Sequence, residues 1–174
     1  MELPAEIKSV LEKMSENGIS AYIVGGAVRD FLMGRRPYDF DIAAECTPDE
    51  LLSAFEGERY FDNSIRFGTL NVISGEQVVE ITCCRRESGY SDLRRPDCVE
   101  FCKNIREDLA RRDFTVNAVA MGADGTVIDP FGGREDIKAG IIRTVGEADR
   151  RFREDALRIL RALRFASTLG FGIE

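Results

Sequence analysis

Asp39 and Asp41 stand one residue apart, downstream of Gly25-Gly26-Ala27-Val28-Arg29-Asp30. Carboxylates spaced in this way are the residues of the chain best suited to metal chemistry. In a β-strand, residues i and i+2 point to the same face. Asp39-Phe40-Asp41-Ile42-Ala43 reads as a short strand with Phe40 and Ile42 directed into a core. Both carboxylates then leave the opposite face side by side. Adjacent negative charges disfavour each other's ionised form unless positive charge sits between them. Hard oxygen ligands favour Mg²⁺ in that place. An Asp-x-Asp pair also serves as an N-cap or turn, so weight comes from what precedes it. Ala21-Tyr22-Ile23-Val24 reads as a strand ending in Gly25 and Gly26. Such a turn lets backbone N–H groups approach a phosphate, and Arg29 follows as a phosphate fork. A glycine turn, an arginine and a two-carboxylate metal site point together to nucleotidyl transfer.

Metal-assisted transfer usually enlists a further carboxylate to help activate the attacking hydroxyl. Glu80 is the candidate. In Val78-Val79-Glu80-Ile81-Thr82 it alternates with Val79 and Ile81, although a glutamate on the solvent face of a half-buried sheet has the same pattern. Arg111-Arg112-Asp113-Phe114-Thr115-Val116-Asn117-Ala118 forms another cluster. Its paired arginines reach for a triphosphate or make surface ion pairs, for example Arg111 with Glu107. In Glu154-Asp155-Ala156-Leu157-Arg158, Asp155 and Arg158 are i,i+3 neighbours on a predicted helix. The plain reading is an ion pair. The chemical reading is base recognition, with the carboxylate accepting from an exocyclic amino group and the arginine donating to the adjacent ring acceptor. Such a pair admits CTP and ATP and rejects UTP and GTP.

The 174 residues include no histidine. Ser-His and Cys-His catalysis, imidazole bases and histidine metal sites are thereby excluded, and acid–base or metal chemistry falls to carboxylates. Neither a Gly-x-Gly-x-x-Gly run nor a P-loop lysine motif is present. The net charge of −7 is not that of a general nucleic-acid binder. Yet Arg150–Arg164 holds six arginines against Glu154 and Asp155, a local surface for phosphate or RNA. Cys46, Cys83, Cys84, Cys98 and Cys102 follow no zinc spacing and read as reduced, mostly buried thiols of a cytoplasmic protein. No apolar run approaches the roughly 20 residues of a membrane helix, so no membrane partner is expected.

The patterning predicts helices over 4–17, 27–33, 48–55, 105–112, near 113–119, over 133–139 and from about 149. It predicts strands over 21–24, 38–44, 68–74, 77–85, 98–101, 119–122, 126–129 and 141–144, with a polar loop from Glu87 to Pro96. Thr47-Pro48-Asp49-Glu50 has a capping box with proline at the first helical position. The last helix carries Phe152, Ala156, Ile159, Leu160 and Leu163 on one stripe and Arg151, Asp155, Arg158 and Arg161 on the other. The expected class is α+β, a mixed α/β fold with a small mixed sheet.

The motifs taken in order resemble the N-terminal part of the bacterial class II tRNA nucleotidyltransferases, the CCA-adding enzymes of the DNA polymerase β superfamily. The resemblance runs through YIVGGAVRDFLMG at 22–34, DFD at 39–41, RRDFTVNA at 111–118, DPFGG at 129–133 and RTVGEADRRFREDALRILRALRFA at 143–166. It implies a polymerase-β-like head over 1–143 and the start of a helical neck over 144–174, with body and tail missing. It implies Mg²⁺ on Asp39 and Asp41, with Glu80 as third carboxylate, and phosphate contacts from Gly25, Gly26, Arg29 and Arg112. Asp155 and Arg158 match the base-reading pair, supported by Arg161 and Arg164. The implied substrates are CTP, ATP and the tRNA 3′ end. The Glu87–Pro96 loop matches one that members adding only C and C have shortened. Poly(A) polymerases and A-adding enzymes share the head motifs, so they remain alternatives. An inactive RNA- or nucleotide-binding module is the alternative of a different class, and the intact carboxylate pair speaks against it.

Overall fold

The computed structural model describes residues 3–174. In chain order its helices are α1 (Ala5–Glu16), α2 (Gly26–Leu32), α3 (Pro48–Ala54), α4 (Ile105–Ala110), α5 (Gly133–Ala139), α6 (Ala148–Glu154) and α7 (Leu157–Leu169). Its strands are β1 (Ala21–Val24), β2 (Asp41–Ala44), β3 (Tyr60–Phe61), β4 (Thr69–Ser74), β5 (Gln77–Cys83), β6 (Arg85–Ser88), β7 (Cys98–Phe101), β8 (Ala120–Gly122), β9 (Val127–Ile128), β10 (Ile141–Ile142) and β11 (Gly172–Ile173). Seven strands form a mixed sheet in the order β3-β4-β5-β2-β1-β8-β9. Only β2 and β5 run parallel within it.

Both faces of the sheet follow from alternation. Ile23, Ile42, Ala44, Leu70, Val72, Val79, Ile81 and Met121 point to one side and are buried there. Helix α1 covers that side with Ile7, Val10, Leu11 and Met14, an apolar stripe at helical spacing. Helix α3 adds Leu51, its start held by the Thr47–Glu50 capping box. The other side is covered only in part. Ile105 and Leu109 of α4 close over Val24, Ala43, Ala118 and Ala120. That second cover lies over β1, β2 and β8, and the carboxylates emerge at its border.

A third cluster joins Phe114, Val116, Ile137 and Ile142 to Ala162, with Phe152, Phe165 and Leu169 packed against it. This seats α6 and α7 on the rest of the molecule. It also decides which stripe of α7 faces inward. Arg158 and Ala162 are buried, while Ile159, Leu160 and Leu163 are exposed.

Several elements differ from the sequence pattern. The expected strand 38–44 begins only at Asp41, so Asp39 lies in the segment leading into it. The expected strand 77–85 ends at Cys83, after which β6 turns away and pairs with β7 as a separate hairpin. The expected helix near 113–119 is only a 3₁₀ turn over Thr115–Asn117. Strand β3, paired with β4, was not foreseen. The single last helix is two, broken at Asp155 and Ala156. Cys46, Cys83, Cys84 and Cys102 are buried free thiols, and Cys98 is exposed.

Candidate active site

The carboxylates meet through strand register. Asp41 on β2 pairs laterally with Glu80 on β5, and paired residues of neighbouring strands share a face. Phe40 and Ile42 are buried, as expected, while Asp41 and Glu80 face outward. Burial pushes the Asp41 carboxyl up, Asp39 pushes it further, and Arg112 opposes them. Burial likewise raises Glu80, with Asp41 and then Asp39 adding to it. Asp39 is therefore electrostatically part of the group although it precedes the strand.

Mutual repulsion of this kind is what a bound cation relieves. Among the described residues no cluster of three or more His, Cys, Asp or Glu forms a ready-made metal cage. The donors present, neighbouring carboxylates, are of the kind that holds Mg²⁺ together with substrate phosphates. A zinc-type or calcium-type protein cage would need more ligands.

On one side of Asp41 opens a cleft of about 580 Å³. The glycine turn is part of its lining. Gly25 has φ +67° and ψ −131°, a conformation open essentially to glycine alone. A Cβ there would stand 3.4 Å from Arg112 and 3.9 Å from Asp41 Oδ2. The missing side chain thus brings backbone directly to the carboxylate. Gly26 opens α2, and Arg29 one turn along donates to Asp30 Oδ1 at 2.8 and 2.9 Å and to Asn117 Oδ1 at 2.8 Å. Its guanidinium also lies 5.5 Å from the Phe165 ring centroid.

Arg112 lines the same cleft and is positioned by Asp108, whose Oδ2 accepts from it at 3.1 and 3.3 Å. Arg111 does not pair with Glu107. Its partners are Asp108 at 2.7 and 2.9 Å and Glu87 at 3.2 Å, while Glu107 pairs with Arg86. Asp108 is almost fully buried. Burial by itself would raise its pKa, but Arg111 and Arg112 outweigh burial and hold the carboxyl low. Asp108, Glu87 and Asn117 escaped the sequence reading. For Asp108 a signal existed, since it stands three and four residues before the two arginines of one helical stretch.

The expected pairing of Asp155 with Arg158 requires a correction. Asp155 and Arg158 are not neighbours on one helix. Asp155 ends α6 with φ −145° and ψ 105°, and its Oδ1 accepts from the Leu157 N–H at 2.9 Å. An aspartate competes for backbone donors in this way and so interrupts helices. Arg158 pairs instead with Glu154 at 2.9 Å and donates to the carbonyls of Arg151 and Arg111. Asp155 and Arg158 nevertheless line the same cleft as the glycine turn, Arg29 and Arg112. The Arg158 Nε–H has no partner among the described residues and remains available. Arg161 also lines the cleft and is anchored on Asp113 at 2.6 Å. Arg164 does not line it and lies 5.2 Å from the Phe165 ring centroid. No helix is long and apolar enough to cross a membrane among the described residues.

Residues 21–143 match the family described as the Poly A polymerase head domain. The chain is 49% identical over 176 residues to the CCA-adding enzyme of Leuconostoc mesenteroides, covering 99% of this chain and 43% of that protein. Its fold superposes with a TM-score of 0.89 on the crystal structure of Bacillus stearothermophilus CCA-adding enzyme in complex with CTP, at 44% identity, over 100% of this chain and 42% of the other. A TM-score of 0.75 at 38% identity relates it to a tRNA nucleotidyltransferase complexed with a primer tRNA and an incoming ATP analog, over 95% of this chain and 46% of that one. The chain thus spans less than half the length of these relatives. A polymerase-β-like sheet with its carboxylates at the border of a half-covered face, matched over most of the sequence, places the chain in the poly A polymerase head-domain family.

Proposed function

We propose that this chain is the nucleotidyl-transferring part of an enzyme that adds C, C and A from CTP and ATP to the tRNA 3′ end, without a nucleic-acid template. The observation that carries the reading is the lateral pairing of Glu80 with Asp41, which lines a cleft shared with a glycine turn, seven arginines and Asp155. The names of the relatives support the choice of substrates. Residues 1–143 serve as the head and residues 144–174 as the start of a neck, a division supported by the family match ending at 143.

Asp39 and Asp41 would hold Mg²⁺, with Glu80 beside them. The ion supplies Lewis-acid activation of the acceptor hydroxyl and charge stabilisation at the α-phosphate. The chain's own residues do the rest. The Gly25–Gly26 turn and the start of α2 receive the phosphates through backbone N–H groups. Arg29 and Arg112 neutralise the phosphate charge, each held in place by a carboxylate. Asp155 accepts from the amino group of cytosine or adenine, and Arg158 donates to the adjacent ring acceptor. Uracil and guanine offer a carbonyl beside an N–H, so both contacts are lost. Arg161 stays out of direct base reading and backs the cleft through Asp113.

The test uses the intact protein that carries these residues. It is incubated with tRNA transcripts lacking A or CCA and one labelled nucleotide at a time, with Mg²⁺. The expected products are CTP addition to the shorter transcript and a single ATP addition to the transcript ending in CC. Repeated A addition would make the protein a poly(A) polymerase, and no incorporation would overturn the transfer reading.

A further inference from the structure

Asp41 also borders a second cavity of about 250 Å³, which neither Gly25 nor Gly26 lines. Asp41, Arg85, Arg111 and Arg112 line both spaces, whereas Glu80, Thr69 and Thr82 line only this one. Sheet register explains the arrangement. The row Asp41–Glu80–Asn71 crosses three strands, and one pleat along runs the row Ala43–Thr82–Thr69 on the same face. The two threonine hydroxyls are 3.2 Å apart. Neither has another side-chain hydrogen bond among the described residues. In such a pair one hydroxyl donates and the other accepts, so an O–H and several lone pairs remain unused. They face a space beside the candidate third carboxylate.

In-line displacement at phosphorus brings the attacking oxygen in opposite the leaving group. If the first cleft receives the triphosphate, the attacking hydroxyl needs a separate approach to Asp41, and this second cavity, which shares Asp41 with the first, supplies one. It is less than half the size of the first and its walls are mostly polar, suited to a sugar rather than to a nucleoside triphosphate. We propose that Thr69 and Thr82 bind the 2′-hydroxyl of the acceptor's terminal ribose, so that the site selects an RNA rather than a DNA 3′ end while the neighbouring 3′-hydroxyl faces the carboxylates. The proposal rests on the nucleotidyl-transfer reading. The plain alternative is a cross-strand threonine pair that only steadies the sheet.

Two primers identical except for the 2′-hydroxyl of the last nucleotide distinguish these readings. With the intact protein, kcat/KM for CTP or ATP incorporation is measured on each. The wild type is expected to prefer the ribose-ended primer by roughly tenfold, the loss from one unpaired hydrogen-bonding group. Thr69→Val and Thr82→Val preserve shape but not hydroxyls. Each is expected to bring the ratio to within about twofold by raising the KM for the ribose-ended primer, with the KM for nucleotide unchanged. Thr82→Ser is expected to restore the preference. A wild-type ratio near unity overturns the proposal without any variant, and an unchanged ratio in both valine variants overturns it equally. Absence of incorporation on either primer overturns the transfer reading itself, and this inference with it.

Discussion

Asp108 is the residue whose removal tests the architecture of the site most directly. Its side chain is 1% exposed and accepts from Arg111 at 2.7 Å and from Arg112 at 3.1 Å. Replacing it with alanine leaves two guanidiniums without their shared counter-charge. Breaking a buried ion pair from one side costs about 3–5 kcal/mol. Both arginines keep 19% of their side-chain surface in water, and Arg111 retains Glu87, so the lower end, about 3 kcal/mol, is expected. For a chain of this size that lowers the melting temperature by roughly 6–12 °C. Asp108→Asn keeps an acceptor and falls between. The folded carboxyl sits below its unfolded pKa. Its contribution is therefore complete above the ordinary aspartate range and is lost as pH falls through the depressed folded value. The gap between wild type and Asp108→Ala narrows correspondingly in acid. The assay is thermal melting of both proteins at neutral and acidic pH. A shift below roughly 2 °C at neutral pH, or a gap that widens in acid, refutes the reasoning.

Asp39→Ala and Asp41→Ala are expected to abolish nucleotide incorporation by the intact protein while leaving far-ultraviolet circular dichroism and melting nearly unchanged; near-wild-type incorporation at equal folded concentration refutes the metal assignment. Asp155→Ala is expected to relax rejection of UTP and GTP by roughly tenfold to a hundredfold, measured as single-nucleotide misincorporation. An unchanged ratio means that Asp155 serves only to end α6. Gly133→Ala places a Cβ 2.2 Å from the Thr115 carbonyl oxygen and 2.6 Å from Val119. A loss of about 1–3 kcal/mol in urea unfolding is expected, and a neutral result would show that α5 can shift away. Thr47→Ala removes the acceptor for the Glu50 N–H and is expected to cost about 1 kcal/mol in the same measurement.

Much of the local structure was legible because its causes are local. Ala21–Val24 is an apolar run closed by glycine, and the structure ends β1 at that point. Thr47-Pro48-Asp49-Glu50 carries its own capping chemistry, and α3 starts there. The alternation around Glu80 predicted which side chains are buried, and Val79 and Ile81 are. Expectations failed where a neighbour distant in sequence, or competition for a backbone donor, decided the outcome. Strand β3 is two residues long and exists only by pairing with β4. Strand β7 lies where the pattern expected a strand, but Glu87 and Ser88, expected to begin the polar loop, belong to β6 because they pair with β7. The helical periodicity around Asp155 was correct in type but gave no sign of the break, because that depends on whether Oδ1 captures the Leu157 N–H.

The site divides in the same way. Residue types and spacing determined by themselves that carboxylates must do the chemistry, since no histidine is available. They also determined that a glycine turn precedes those carboxylates and that arginines cluster near residues 111 and 158. Only the tertiary structure decided that Glu80 stands beside Asp41, that Asp108 rather than Glu107 holds Arg111, and that Arg158 is turned inward onto Glu154. Each of these depends on strand register or on which face of a helix meets the core. Those are set by burying one apolar surface against another far away in sequence, which no window along the chain contains.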